Sequence, residues 1–143
     1  YAKIIQDENN RLKNQVDKVL QLATIERDKL KLENEPIDLH ELIANSIKSF
    51  ELLVSQQGGQ ITAQLKAPEH IFHGDKVHIS NILYNLIDNA IKYSPENNIK
   101  GFGLGLNYVK TIVEFYNGSV RLVSKKNEGS TFIIKLPLKI NNK

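Results

Sequence analysis

The sequence has 143 residues, of which 41% are hydrophobic and 24% charged, and its formal net charge is +3. This is the composition of an ordinary folded protein, and its scattered lysines lack the clustering typical of nucleic-acid binding. The absence of cysteine excludes disulfides, thiolate zinc sites and a cysteine nucleophile. No apolar run approaches the length of a membrane span, and no signal peptide is visible.

The first predicted element is a long helix over residues 1–34, where apolar residues recur at intervals of three and four. A single helix of this length cannot bury its own apolar stripe, so we expect a partner helix. The partner is either a segment outside this sequence or a second copy of the chain, and a plain coiled-coil linker is the alternative. The chain begins at Tyr1 within this pattern, which suggests a fragment.

The second region begins after residues 33–36, where Pro36 ends the helical pattern and marks a domain boundary. Asp38 is predicted to cap a helix that ends at Gly58-Gly59. Alternating residues predict strands over 60–66 and 71–72.

Two further helices and a hairpin complete the predicted fold. Asp75 is expected to cap a helix that stops at Ser94-Pro95, and the next helix runs from Leu106 to Tyr116, with Asn117-Gly118 as its C-cap. Residues 119–138 predict a β-hairpin. The order of elements indicates an α+β fold, a two-layer sandwich with helices on one face of a mixed sheet.

One helix carries a polar face suited to a nucleotide. Asn85, Asn89, Lys92 and Tyr93 are spaced so that they share one side of a helix. A carboxamide oxygen suits a hard cation such as Mg²⁺, a lysine suits phosphate, and a tyrosine ring can cover a base. The alternative is two surface amides beside a half-buried tyrosine.

A glycine cluster follows this helix, with Gly101, Gly103 and Gly105 at alternate positions. The spacing is neither the dinucleotide-binding fingerprint nor a P-loop. Backbone N–H groups here could approach phosphate oxygens at the start of the next helix, where the dipole favours anions. A plain loop hinge is the alternative.

Taken together, the motifs resemble those of sensor histidine kinases of two-component systems. Asn85-x-x-x-Asn89-Ala-x-Lys92-Tyr93-Ser94-Pro95 looks like their N box, Gly101-Phe-Gly-Leu-Gly-Leu106 like their second glycine box, and Gly129-Ser-Thr-Phe132 like their third. The long helix over 1–34 is similar to the second helix of their dimerisation and phosphotransfer domain. Residues 35–143 would then be the catalytic domain, with the Bergerat (GHKL) ATP-binding fold.

The resemblance implies ATP and Mg²⁺ as cofactors. Asn89 would coordinate Mg²⁺, Asn85 and Lys92 would engage the phosphates, and Tyr93 would lie against the adenine. Thr131 would sit near the base. The glycine segment would line the phosphate chain with Gly101, Gly103, Leu104, Gly105 and Leu106. Hydrolytic relatives such as gyrase carry a glutamate where this chain has Asn85, which favours phosphoryl transfer to a histidine over hydrolysis.

The chain departs from the family pattern between the N box and the second glycine box. The family places a strand, an adenine-recognising aspartate box and an ATP lid there, whereas this chain has only residues 96–100. Five residues reach at most about 17 Å when fully extended. We therefore expect a skipped segment near residues 97–100. A degenerate, non-catalytic module for dimerisation or partner docking is the alternative.

The second departure is the absence of the phosphoacceptor histidine, so no catalytic residue can be named. In the family that histidine stands in a His-Glu/Asp-Leu-Arg-x-Pro context, and His40-Glu41-Leu42 lacks its basic residue and its proline. His70, His73 and His78 lack metal-ligand spacing. The resemblance implies a homodimer through residues 1–34 and a response-regulator receiver domain as partner. It also implies a cytoplasmic location, with membrane contact only through parts of the parent protein outside this sequence.

Overall fold

The computed structural model describes residues 1–27, 32–92 and 104–138. Within these ranges the chain forms four helices and four strands, and the strands make two separate antiparallel pairs, β1 with β2 and β3 with β4. The elements are α1 (Ala2–Arg27), β1 (Glu35–Asp38), α2 (Leu39–Gln56), β2 (Ile71–Gly74), α3 (Lys76–Lys92), α4 (Leu104–Phe115), β3 (Ser119–Lys125) and β4 (Gly129–Lys135).

The long first helix is present, although its predicted end at residue 34 was wrong. Residues 32–34 are described and are not helical. Pro36 disfavours helical geometry at Glu35, so no helix continues into residues 35–38. The apolar side chains of α1 are largely exposed, among them Ile4, Ile5, Leu12, Val16, Val19 and Leu20.

The short strand β1 was missed at the sequence level. It pairs with β2 so that Ile37 lies opposite Phe72, and both side chains are buried. One apolar residue beside a proline does not make an alternating pattern. Only the neighbouring strand β2 therefore identifies residues 35–38 as part of a sheet.

The capping predictions for α2 and α3 are confirmed. The Asp38 carboxylate accepts the N–H groups of His40 at 2.9 Å and Glu41 at 3.2 Å. The bond from Glu41 is the main cause that holds the pKa of Asp38 below its ordinary value. The Asp75 carboxylate accepts from Val77 at 3.0 Å and His78 at 3.2 Å, and so begins α3.

The predicted strand over residues 60–66 was wrong, because this described segment forms no ladder. Its alternating pattern is real, but a strand needs a neighbour that pairs with its N–H and C=O groups. For the same reason the described sheets are two antiparallel pairs rather than one mixed sheet. The α+β class itself is confirmed.

The core lies where α3 and α4 pack on β2 and on the β3–β4 hairpin. Phe72, Val109, Ile112 and Val113 are fully buried, and the ring of Tyr116 meets Phe72 edge-on at 5.2 Å. Asn117, at a φ of 56°, ends α4 as predicted, and the Gly118 N–H donates to the Val113 carbonyl at 2.8 Å. None of the described helices is both long and apolar enough to cross a membrane.

Candidate functional site

The candidate site is built by the antiparallel packing of α4 on α3. Tyr116, just after the end of α4, contacts Asp75 at the start of α3, and its hydroxyl accepts the Asp75 N–H at 2.8 Å. Tyr108 meets Asn81 two turns along, and Gly105 meets Asn85 at the far end. This register places the start of α4 beside the second half of α3, where the predicted nucleotide residues lie.

Asn85 is buried against the first turn of α4. Its Nδ2 donates to the Asn81 carbonyl at 2.8 Å, and this bond leaves its Oδ1 directed at Gly105. A Cβ at position 105 would lie 2.7 Å from that oxygen, so a larger residue would push Asn85 aside. The Asn85 oxygen is an acceptor that suits a cation or its bound water, and Nδ2 keeps a second N–H that suits a phosphate oxygen.

Asn89 and Lys92 continue the same side of α3, and both are half-buried. Within the described residues, the Asn89 carboxamide forms no hydrogen bond. The Lys92 ammonium pairs with Asp88 at 2.7 Å, and Lys18 of α1 reaches the same carboxylate oxygen at 3.7 Å. Lys92 therefore has a partner that an anionic ligand would compete with.

The glycine segment is described only from its last part. Leu104 begins α4, Gly105 is buried and Leu106 is half-buried in the first turn. The N–H groups of this turn have no partner within the helix, and with the helix dipole they favour an anion at this end. The other predicted residues of the site, Tyr93, Gly101 and Gly103, lie outside the described residues.

Thr131 lies on the face of the hairpin that points away from α4. It is exposed and stands opposite Val123, whereas the alternate pair Val120 and Ile134 packs on the core. Ser130 therefore occupies the helix-facing side, where its hydroxyl bonds that of Ser124 at 2.9 Å. Counting the strand's alternation back from the partly buried Ile134 places Ser130, and not Thr131, on this side.

The sequence analysis missed a polar cluster beside Asn85, formed by His78, Asn81 and Tyr108. The Tyr108 hydroxyl lies 2.6 Å from His78 Nδ1 and accepts from Asn81 Nδ2 at 3.3 Å. Burial raises the pKa of Tyr108 and keeps its phenol protonated. Helical spacing already placed Asn81 four residues before Asn85, but no pattern indicated that Tyr108 would meet it.

The remaining histidines lie elsewhere. His40 and His70 stack at 4.1 Å, and His70 Nε2 lies 3.7 Å from Asp38. Among the described residues, no cluster of three or more histidine, cysteine, aspartate or glutamate side chains is arranged to hold a metal. The candidate metal donors predicted for the site, Asn85 and Asn89, are carboxamides.

Known proteins resemble this chain in sequence and in fold. Residues 96–140 match the family model described as histidine kinase-, DNA gyrase B- and HSP90-like ATPase. The sensor protein RprX of Bacteroides fragilis is 34% identical over an alignment that covers 97% of this chain. The chain spans 36% of the length of RprX.

Two solved structures have the same fold. The histidine kinase AdeS of Acinetobacter baumannii superposes with a TM-score of 0.75 over 98% of this chain and 84% of that one, at 23% identity. The catalytic domain of histidine kinase ThkA superposes with a TM-score of 0.62 over 74% of this chain and 97% of that one, at 20% identity. The chain therefore carries a GHKL-type, ATP-binding catalytic domain of the kind found in histidine kinases, and it has their fold.

Proposed function

We propose that the chain binds Mg·ATP at the junction of α3 and α4 and supports transfer of the γ-phosphoryl group to a histidine outside this sequence. The observation that carries the proposal is the contact between Asn85 and Gly105. It brings the helix that resembles the N box against the helix that follows the glycine segment, so carboxamides and helix N–H groups converge on one region.

The residues of the site fit a magnesium nucleotide. The Asn89 carboxamide forms no hydrogen bond with the described residues, and Asn85 offers its carboxamide oxygen. Mg²⁺ held there would neutralise phosphate charge during the transfer. The first turn of α4 would hold phosphate oxygens, and Lys92 would leave Asp88 for the phosphates.

The chain would contribute to the reaction mainly by positioning the nucleotide. In the transfer, the bond between the γ-phosphorus and the bridging oxygen breaks and a bond to an imidazole nitrogen forms, which leaves ADP. Such a reaction needs charge stabilisation more than an acid or base from the protein. Asn85 is consistent with this, because an amide cannot take a proton from water as a carboxylate does.

Asn89→Ala tests the assigned metal role. We expect nucleotide affinity in Mg²⁺ to fall at least about tenfold, since even outer-shell partners of a metal cost that much. Calorimetric titration of the chain with a non-hydrolysable ATP analogue, with and without Mg²⁺, measures the change. Asn45→Ala, an exposed asparagine on α2, is the matched control.

Equal Mg²⁺-dependent binding by wild type and Asn89→Ala would contradict the metal assignment. A wild-type chain that binds no nucleotide would contradict the proposed function and favour a non-catalytic docking module. The role of Thr131 near the base stays a prediction, and Ser130→Ala beside Thr131→Ala would show which hydroxyl affects binding.

We also propose that the chain lacks an internal segment relative to its relatives. The RprX alignment runs over 187 residues although this chain has 143. This excess supports the predicted gap near residues 97–100, which lie outside the described residues. An intact mass above the 16.2 kDa of the sequence would establish additional residues, and a mass equal to it would contradict a segment merely skipped.

The partners follow from α1 and from the family. The exposed apolar residues of α1 suit a homodimer through residues 1–34, and the phosphoryl group would pass to a response-regulator receiver domain. The location would be cytoplasmic. Sedimentation of the chain at high concentration tests the dimer, and a strict monomer would mean that α1 requires a helix from outside this sequence.

A further inference from the structure

The cluster of His78, Asn81 and Tyr108 lies between the two ends of the α3–α4 interface. Tyr108 is 2% exposed, and its hydroxyl is the contact point of all three side chains. Neither His78 nor Tyr108 belongs to the polar face that the sequence predicted for the nucleotide. The cluster therefore has a position in the fold but no role in the chemistry described above.

The hydrogen bonds of this cluster meet at the Tyr108 oxygen. Asn81 Nδ2 donates to that oxygen, and His78 Nδ1 lies 2.6 Å from it. The imidazole tautomer decides whether His78 Nδ1 accepts the phenol proton or donates to the phenol oxygen. In either case the phenol joins two residues of α3 that lie three positions apart.

Asn81 connects this cluster to Asn85. Its side chain donates to Tyr108, and its main-chain carbonyl accepts from Asn85 Nδ2 at 2.8 Å. Tyr108 lies three residues after Gly105, which is one turn of α4 or about 4.5 Å of rise. The two helices are therefore held at Tyr108 one turn away from the place where Gly105 meets the Asn85 oxygen.

We propose that His78, Asn81 and Tyr108 are positioning residues that set the first turn of α4 against Asn85, so that nucleotide affinity depends on the Tyr108 hydroxyl. This inference rests on the proposed function for its effect on affinity. Removing the hydroxyl leaves His78 Nδ1 and Asn81 Nδ2 without their partner inside the interface. The first turn of α4 can then shift, because the bonds that hold it to α3 next to the site are lost.

Tyr108→Phe is the direct test, and Tyr116→Phe is its matched control. Both variants lose one phenol hydroxyl from the same helix interface, but Tyr116 bonds Asp75 at the end remote from Asn85. We expect the two variants to lose similar stability in urea unfolding. Only Tyr108→Phe should bind Mg·ATP analogue more weakly, by about fivefold, as expected for one hydrogen bond.

Substitution of His78 separates positioning from general loosening. His78→Asn keeps a side-chain amide that can donate or accept near the position of Nδ1, and His78→Leu removes the polar group. We expect near-normal affinity in His78→Asn and the loss seen in Tyr108→Phe in His78→Leu. Equal affinity in Tyr108→Phe and wild type, or equal loss in Tyr108→Phe and Tyr116→Phe, would overturn the positioning role.

A nucleotide-free measurement distinguishes this inference from the proposed function. The amide signal of Gly105 and the side-chain NH₂ signals of Asn85 can be followed in ¹⁵N-correlated NMR spectra of the apo chain. Both should move in Tyr108→Phe and stay in place in Tyr116→Phe. Unchanged signals in Tyr108→Phe would overturn the inference even if wild type binds nucleotide. If the signals move in Tyr108→Phe but the wild-type chain binds no nucleotide, the positioning role stands and the proposed function is rejected.

Discussion

The two ends of the α3–α4 interface differ in how their polar groups are hydrogen-bonded. At the closed end, formed by Phe72, Gly74, Asp75 and Tyr116, each polar group finds a partner within the protein, and a T-shaped ring pair fills the space. At the open end, formed by Asn85, Asn89, Lys92 and Gly105, the Asn85 oxygen lies against the space that Gly105 leaves. The closed end supplies stability, whereas the open end leaves donors and acceptors for a ligand.

The largest effect is expected from Phe72→Ala at the closed end. Phe72 is fully buried against Tyr116, so truncation leaves a cavity and should lower the free energy of unfolding by about 3–5 kcal/mol. Urea unfolding followed by circular dichroism measures it. Ile71→Ala is the matched control, because Ile71 is the preceding residue of β2 and is 44% exposed. Similar losses in the two variants would remove the distinction between a buried and an exposed position.

Gly105→Ala should act on the open end with little change in stability. The added methyl would meet the Asn85 oxygen at 2.7 Å and displace it from the site. Alanine also favours a helix by about 1 kcal/mol over glycine, which offsets the crowding. We therefore expect at least about a tenfold loss in Mg·nucleotide affinity, by analogy with outer-shell metal partners, and an unfolding free energy close to wild type.

Asn107→Ala controls for any change near the start of α4, because Asn107 is exposed on the same helix. Nucleotide affinity retained in Gly105→Ala would mean that the approach of α4 to Asn85 is not part of the site.

The smallest effect is the alkaline loss of stability from the two interface phenols. Burial raises the pKa of both Tyr108 and Tyr116 above the ordinary value of 10.0. The folded protein therefore holds these protons more tightly than the unfolded chain does. The stability that these two protonated phenols contribute is fully present below pH 10 and is lost as pH rises through the raised pKa values.

Urea unfolding at a series of pH values above 9 measures this loss. A variant with both Tyr108→Phe and Tyr116→Phe should show a shallower decline than wild type, and the single variants assign the contribution of each end. Parallel declines in wild type and in the double variant would contradict the raised pKa values.

Local chemistry was predictable from the sequence because it depends on neighbours in the chain. Asp38 and Asp75 cap their helices through N–H groups two and three residues away, and Asn117 ends α4 where it was expected. The shared helical face of Asn85, Asn89 and Lys92 is equally local. These features need only the geometry of one helix turn.

Pairing between distant segments was not predictable in the same way. Strand β1 exists because Ile37 faces Phe72, and residues 60–66 form no strand because no described neighbour completes their ladder. Strand register likewise decides that Ser130, and not Thr131, lies on the same face of the hairpin as Ile134. An alternating pattern shows that a segment can form a strand, but the strand forms only where a neighbouring segment pairs with it.

By itself, the sequence determined the helices, their caps and the residues that α3 could present to a nucleotide, because these follow from local geometry and residue chemistry. Only the tertiary structure decided that Gly105 meets Asn85 and that Tyr108 joins His78 to Asn81. Those contacts depend on the register in which two helices pack. That register is set by the buried core of Phe72, Val109, Ile112 and Val113 and by the Tyr116–Asp75 bond at the closed end.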